Sequence, residues 1–96
     1  MTASVMDTEK ARAYFADLKV GDTIEGKAPF KLPGCEKAVS RLIEINTEPY
    51  RNKKGLTIVQ EWIFEVTWMG VYVAKVAVQN CSNSRADEWF TIEDLT

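Results

Sequence analysis

Between Leu56 and Gln79 the chain reads LTIVQEWIFEVTWMGVYVAKVAVQ, two alternating arms about a central glycine. In the first arm Leu56, Ile58, Trp62, Phe64, Val66 and Trp68 hold even positions, interrupted by Gln60, while Thr57, Glu61, Glu65 and Thr67 hold odd ones. A period of two is that of a strand with one buried face, and β-branched and aromatic residues suit a pleated surface. The stretch predicts a long β-hairpin turning at Gly70. A two-residue Met69-Gly70 loop would carry Lys75 to the core face, because a slip of one residue exchanges the two faces of a strand. A three-residue loop with Thr67 opposite Val71 keeps Tyr72, Ala74, Val76 and Val78 inside, with Gly70 at the left-handed position. That register is the one expected. It sets Lys75 diagonally between Glu61 and Glu65 on the outer face, a surface charge ladder of about 0.2–1 kcal/mol per pair.

The flanking segments extend this core. Ala11, Tyr14, Phe15 and Leu18 recur at i, i+3, i+4 and i+7 and predict an amphipathic helix over 5–18, with Ser4 or Asp7 as cap and Gly21 as stop. A turn and short strand follow over 20–26. Pro29 and Pro33 make 27–37 a loop, with Phe30 and Leu32 between them as a lid on the core or a contact for a partner. Over 38–47, Val39, Ile43 and Ile45 fit one strand face, and Ala38, Leu42 and Ile45 fit a helical stripe. The strand is preferred because Ile43–Thr47 runs directly toward the hairpin. Residues 48–55 form a polar loop, 81–87 a second, and 88–92 a short last strand.

These elements predict an α+β fold of one domain, 1–96: an N-terminal helix packed on a small, twisted antiparallel sheet or partial barrel of about five strands. A helical 36–46 would instead give a two-helix α+β sandwich. The element order is similar to that of small SH3-like barrels carrying an N-terminal helix, a likeness of order alone. The hairpin's outer face carries Val59, Ile63, Val71 and Val73 among its charges, more apolar than a solvated face. A cover is expected there: the helix, a second copy as in a homodimer, or a partner.

Composition removes several function classes. The chain of 96 residues contains no histidine, so the commonest general base and every Ser-His or Cys-His arrangement are missing. Cys35 and Cys81 lack metal-ligand spacing and are expected as free thiols. Glu61 and Glu65, four strand residues apart, are separated by roughly 13 Å, beyond the roughly 5–9.5 Å of a glycosidase pair. No phosphate-binding or nucleophile-elbow motif occurs. The expectation is a non-enzymatic protein without metal or cofactor. No apolar run reaches the roughly 18 residues of a membrane span, and the N-terminus lacks a signal-peptide layout, so a cytoplasmic location is expected.

The function expected is a small protein-binding module that regulates or inhibits a partner protein. Its candidate contacts are Phe30, Leu32 and Trp89, with Asp87, Glu88, Glu93 and Asp94 as an acidic surface for a nucleic-acid-handling machine. The alternative is a nucleic-acid-binding accessory protein using Tyr50, Arg51, Lys53 and Lys54, with Arg41 nearby, to track phosphates and stack a base. A net charge of −2 weighs against it.

Overall fold

The computed structural model describes residues 8–25, 38–85 and 87–95. One helix, α1 (Thr8–Ala16), precedes β1 (Thr23–Glu25), β2 (Val39–Asn46), β3 (Tyr50–Arg51), β4 (Thr57–Trp68), β5 (Val71–Ser82) and β6 (Glu88–Asp94). The strands form one antiparallel sheet in the order β1-β2-β4-β5-β6, and β3 continues β2 along the same edge of β4. The 38–47 segment is a strand, so the architecture is α+β with a single meandering sheet and not a two-helix sandwich. Among the described residues no pairing joins β1 to β6, and the sheet is open.

The inner face carries the main core. Trp62, Phe64 and Val66 of β4 lie beside Val76 and Val78 of β5, Phe90 and Ile92 of β6, and Leu42 of β2. Helix α1 covers them with Ala11 and Phe15, one turn apart on one stripe, flanked by the half-buried Tyr14 and Leu18. The Phe15 ring lies 4.9 Å from Trp62 and 6.2 Å from Phe90, nearly parallel to the latter. Burying a side chain of this kind contributes about 1.5–3 kcal/mol. Arg12 pins the helix to the sheet margin through an ion pair with Glu88. The helix is shorter than the 5–18 expected: its described part ends at Ala16, and Gly21 (φ 101°) stands beyond it in the turn to β1. There Gly21 N–H donates to Leu42 O at 2.8 Å, fastening the turn to β2.

The hairpin register corrects the expectation. The turn is a two-residue loop, Met69 (φ 52°) and Gly70 (φ 79°), with Trp68 opposite Val71. Two positive φ values make the primed turn whose twist matches that of paired strands. The phase is then adjusted inside the strand. Thr67 faces Tyr72, and Val66 faces Ala74, leaving Val73 as an extra residue, a β-bulge. Ala74, Val76 and Val78 come to the inner face as expected, but Trp68 and Tyr72 remain exposed.

A second irregularity lies at the other end. Ile58 pairs with Cys81 and Gln60 with Asn80, so Val59 is the extra residue, this time on β4. Beyond it the faces exchange. Ile58, expected beside Trp62, shares the outer face with Cys81 and is 1% exposed there. The charge ladder differs as well: Glu65 lies directly opposite both Lys75 and Arg41, with Arg41 Nη2 3.3 Å from its carboxylate. Glu61 takes no part in it.

Candidate functional site

Glu61 is held on the outer face in a buried polar cluster. It is 8% exposed, and its Oε2 accepts two hydrogen bonds, from the Tyr50 hydroxyl at 2.8 Å and from Gln79 Nε2 at 2.7 Å. Gln79, directly opposite Glu61 in the register, is 4% exposed. Tyr50 reaches them because β3 pairs with the start of β4, opposite Ile58, where the Val59 bulge bends the strand. Burial, then the hydrogen bond and negative charge of Glu61, with a further contribution from Glu93, push the Tyr50 phenol up to about 12.

Beside this cluster the turn after β3 and strands β5 and β6 border a cavity of about 250 Å³ that is open on one side to solvent. Asn52, Lys54 and Leu56 line it from the turn; Gln79 and Cys81 of β5 and Thr91, Ile92, Glu93 and Asp94 of β6 line it from the sheet. Asn52 shapes the turn by accepting the Lys54 and Leu56 N–H groups on Oδ1, at 2.9 and 3.0 Å, and Gly55 closes it at a φ of 81°. The Cys81 thiol is free and buried, 3.6 Å from Thr91 Oγ1. Burial raises its pKa, the Thr91 hydrogen bond opposes the rise and Glu93 adds to it. The group is a poor nucleophile there, since the thiolate is the reactive form. Among the described residues no three His, Cys, Asp or Glu side chains gather to hold a metal ion.

The other end of the hairpin is the reverse in character. Trp68, Met69, Val71, Tyr72 and Val73 are all exposed, Met69 at 82% and Val71 at 65%. No charged residue occurs from Val66 to Ala74.

The expected contact residues are dispersed. Phe30 and Leu32 lie outside the described residues. Asp87 closes the turn after β5, its N–H donating to Asn83 Oδ1 at 3.2 Å. Glu88 is engaged by Arg12. Trp89 is half-buried opposite Cys81, and Glu93 faces the cavity from the same side of β6. Asp94, opposite Val76, lines the same cavity as Glu93. The acidic residues thus divide between the two sides of the sheet. Of the basic group, Arg51, Lys53 and Lys54 share one exposed turn. Arg41 is paired with Glu65, about 25 Å along β4 from that turn. Tyr50 spends its hydroxyl on Glu61.

Of the apolar tip the sequence points out Val71 and Val73 as too apolar for a solvated face, but not Trp68, Met69 and Tyr72; the Glu61–Gln79–Tyr50 cluster and the cavity are not singled out as functional. The uncharged run 66–74 is a signal for the tip. The polar cluster has none, because it depends on a bulge and on the two-residue strand β3. No helix among the described residues is long and apolar enough to cross a membrane. Comparisons of the chain with protein-family models, with curated proteins and with solved structures find no match.

Proposed function

We propose that this chain is a small protein-binding module that acts on its partner by occupying the partner's surface, as a regulator or inhibitor. One observation carries the proposal. Every non-glycine residue from Trp68 to Val73 is both apolar or aromatic and exposed. Isolated exposed apolar residues are ordinary, but a contiguous group marks an interaction site. Trp and Tyr are also the residue types that dominate binding hot spots. A projecting hairpin tip fits a concave apolar groove on a partner protein. Asp94, opposite Val76 at the margin of β5, supplies the one acidic group of a rim that also carries Lys75 and Leu95. In its finer form the proposal is that this rim meets a basic nucleic-acid-handling partner. The likeness of element order to SH3-like barrels adds nothing to this reading, since fold does not determine activity.

The alternative, nucleic-acid binding through residues 50–54, draws on Arg51, Lys53 and Lys54 being exposed together. The engaged Tyr50 hydroxyl and the distant Arg41 weaken it.

The test is affinity capture from host lysate with the native chain and a Trp68→Ser, Tyr72→Ser variant, with and without nuclease. A stoichiometric protein retained by the native chain through nuclease treatment and lost by the variant supports the tip as the binding surface. Equal retention by the variant refutes the tip. Nucleic acid in the native eluate, lost with Lys53→Gln and Lys54→Gln, favours the alternative.

A further inference from the structure

The cavity on the outer face combines features that a turn packed against a sheet does not need. Lys54 and Glu93 line it from opposite walls, yet neither forms an ion pair with the other or with any described residue. Gln79, its side chain almost wholly buried, directs its amide nitrogen to Glu61 and Tyr50. Its amide oxygen accepts no hydrogen bond from the described residues. That oxygen is not sealed from solvent, and it belongs to a residue that lines the cavity, so it is open to a ligand there. On the opposite wall Asn52 has used its oxygen on two backbone N–H groups, which leaves its amide nitrogen as a donor.

The cavity therefore carries acceptors with the negative charges of Glu93 and Asp94 on the sheet side and donors with the positive charge of Lys54 on the turn side. Leu56 and the Cys81 thiol supply apolar surface between them. The volume of about 250 Å³ lies just under the roughly 300–1,000 Å³ of sites for drug-sized ligands. The geometry points to a binding site for a small aliphatic zwitterion, an amino acid. Its ammonium group bonds Glu93 and the Gln79 amide oxygen, and its carboxylate bonds Lys54 and the Asn52 amide nitrogen. Glu61, already saturated at Oε2 by Tyr50 and Gln79, fixes the Gln79 amide so that its oxygen faces the ligand. This site is separate from the hairpin tip and does not depend on the binding-module reading.

Titration of the ¹⁵N-labelled protein with alanine, β-alanine and 4-aminobutyrate tests the inference, with n-butylamine and butyrate as single-charge controls. The expected result is saturable amide shifts at Lys54, Gln79 and Glu93 for at least one zwitterion, at an affinity on the order of millimolar. The controls should bind at least about tenfold weaker, the equivalent of one lost charged contact of about 1.4 kcal/mol. Lys54→Gln and Glu93→Gln, both at exposed positions, should each weaken binding to a similar degree while the spectrum remains that of the folded protein. Shifts from butylamine or butyrate as strong as those from the zwitterions would overturn the inference. So would the absence of saturable shifts with all three zwitterions, or binding unaltered by both substitutions.

Discussion

At the turn end of the β4–β5 hairpin Trp68, Met69, Val71, Tyr72 and Val73 face solvent; at the base, Ile58, Glu61, Gln79 and Cys81 are buried. Both ends contain one extra residue, Val73 on β5 near the turn and Val59 on β4 near the base. The local effect of a bulge is the same in each case: a bend and an exchange of faces. What differs is the neighbouring chain. At the base β3 and its turn fold against the outer face, so the exchanged residues Ile58 and Cys81 are covered, and Glu61 finds donors. At the tip no described segment lies over the exchanged residues, and they remain apolar and uncovered. A bulge re-aims side chains; whether the result is core or interface depends on what packs there next.

The largest expected effect separates the two ends by stability. Ile58→Ala should cost about 2–5 kcal/mol, as deletion of a buried aliphatic side chain does. Val73→Ala should stay within about 0.5 kcal/mol, as exposed substitutions do. Denaturant unfolding of both variants measures the contrast. A Val73→Ala cost approaching that of Ile58→Ala would mean that the tip is covered in solution, as by self-association.

The polar cluster sharpens the same contrast. Glu61→Ala leaves the Tyr50 hydroxyl and the Gln79 amide without their acceptor and should cost about 1–3 kcal/mol. Arg41→Ala removes an exposed pair with Glu65 and should cost at most about 1 kcal/mol. If the two substitutions cost the same, the base cluster is no better sheltered than the surface ladder.

Tyr50 gives the cluster a signature in pH. Its phenol is raised from 10.0 to about 12 in the folded protein, so folding favours the protonated form. The resulting stability is whole below pH 10 and declines as pH rises toward about 12, where the unfolded chain has already lost its proton and the folded chain has not. Ultraviolet titration should resolve two tyrosines raised above the ordinary value, Tyr50 and Tyr14, the second lifted by burial and then by the charge of Asp22. Tyr50→Phe should remove the component near 12 and leave that of Tyr14, and Glu61→Gln should bring Tyr50 back toward the ordinary value by taking away a negative charge. A component near 12 that persists in Tyr50→Phe would assign it to another tyrosine.

Much of this fold is legible in the residues, and the illegible part has a definite physical origin. That Trp62, Phe64 and Val66 share one face with Ala74, Val76 and Val78 follows from alternation alone. The location of the phase change does not. One extra residue in the loop and one in the strand give every later pair the same parity, so the pattern cannot tell a three-residue turn from a two-residue turn followed by a bulge. The choice moves every later pair by two residues, so that Glu65 faces Lys75 and not Val73, and it exposes Tyr72, which the three-residue loop places inside. Likewise Ile58 belongs by pattern with Trp62, and only the Val59 bulge moves it to the other face. The candidate cavity is further from the pattern still: two residues of β3 have no periodicity to read, and their position decides where Tyr50 and Lys54 stand.

The smallest expected effect concerns the turn itself. Met69 holds a φ of 52°, a left-handed conformation in which an ordinary side chain is strained, followed by Gly70 at 79°. Asn-Gly is the pair best suited to this turn, because asparagine tolerates the left-handed region. Met69→Asn should therefore stabilise the hairpin by about 0.5 kcal/mol, whereas Met69→Gly should gain less, since glycine also widens the unfolded ensemble. Met69 is among the most exposed apolar residues of the tip, so the same substitution removes a proposed contact. A tip that serves a partner should show opposed changes in Met69→Asn, higher stability and weaker capture. A tip that serves only to reverse the chain should show the first change without the second. Reading both quantities on one variant distinguishes a turn kept for folding from a turn kept, at some strain, for what it touches.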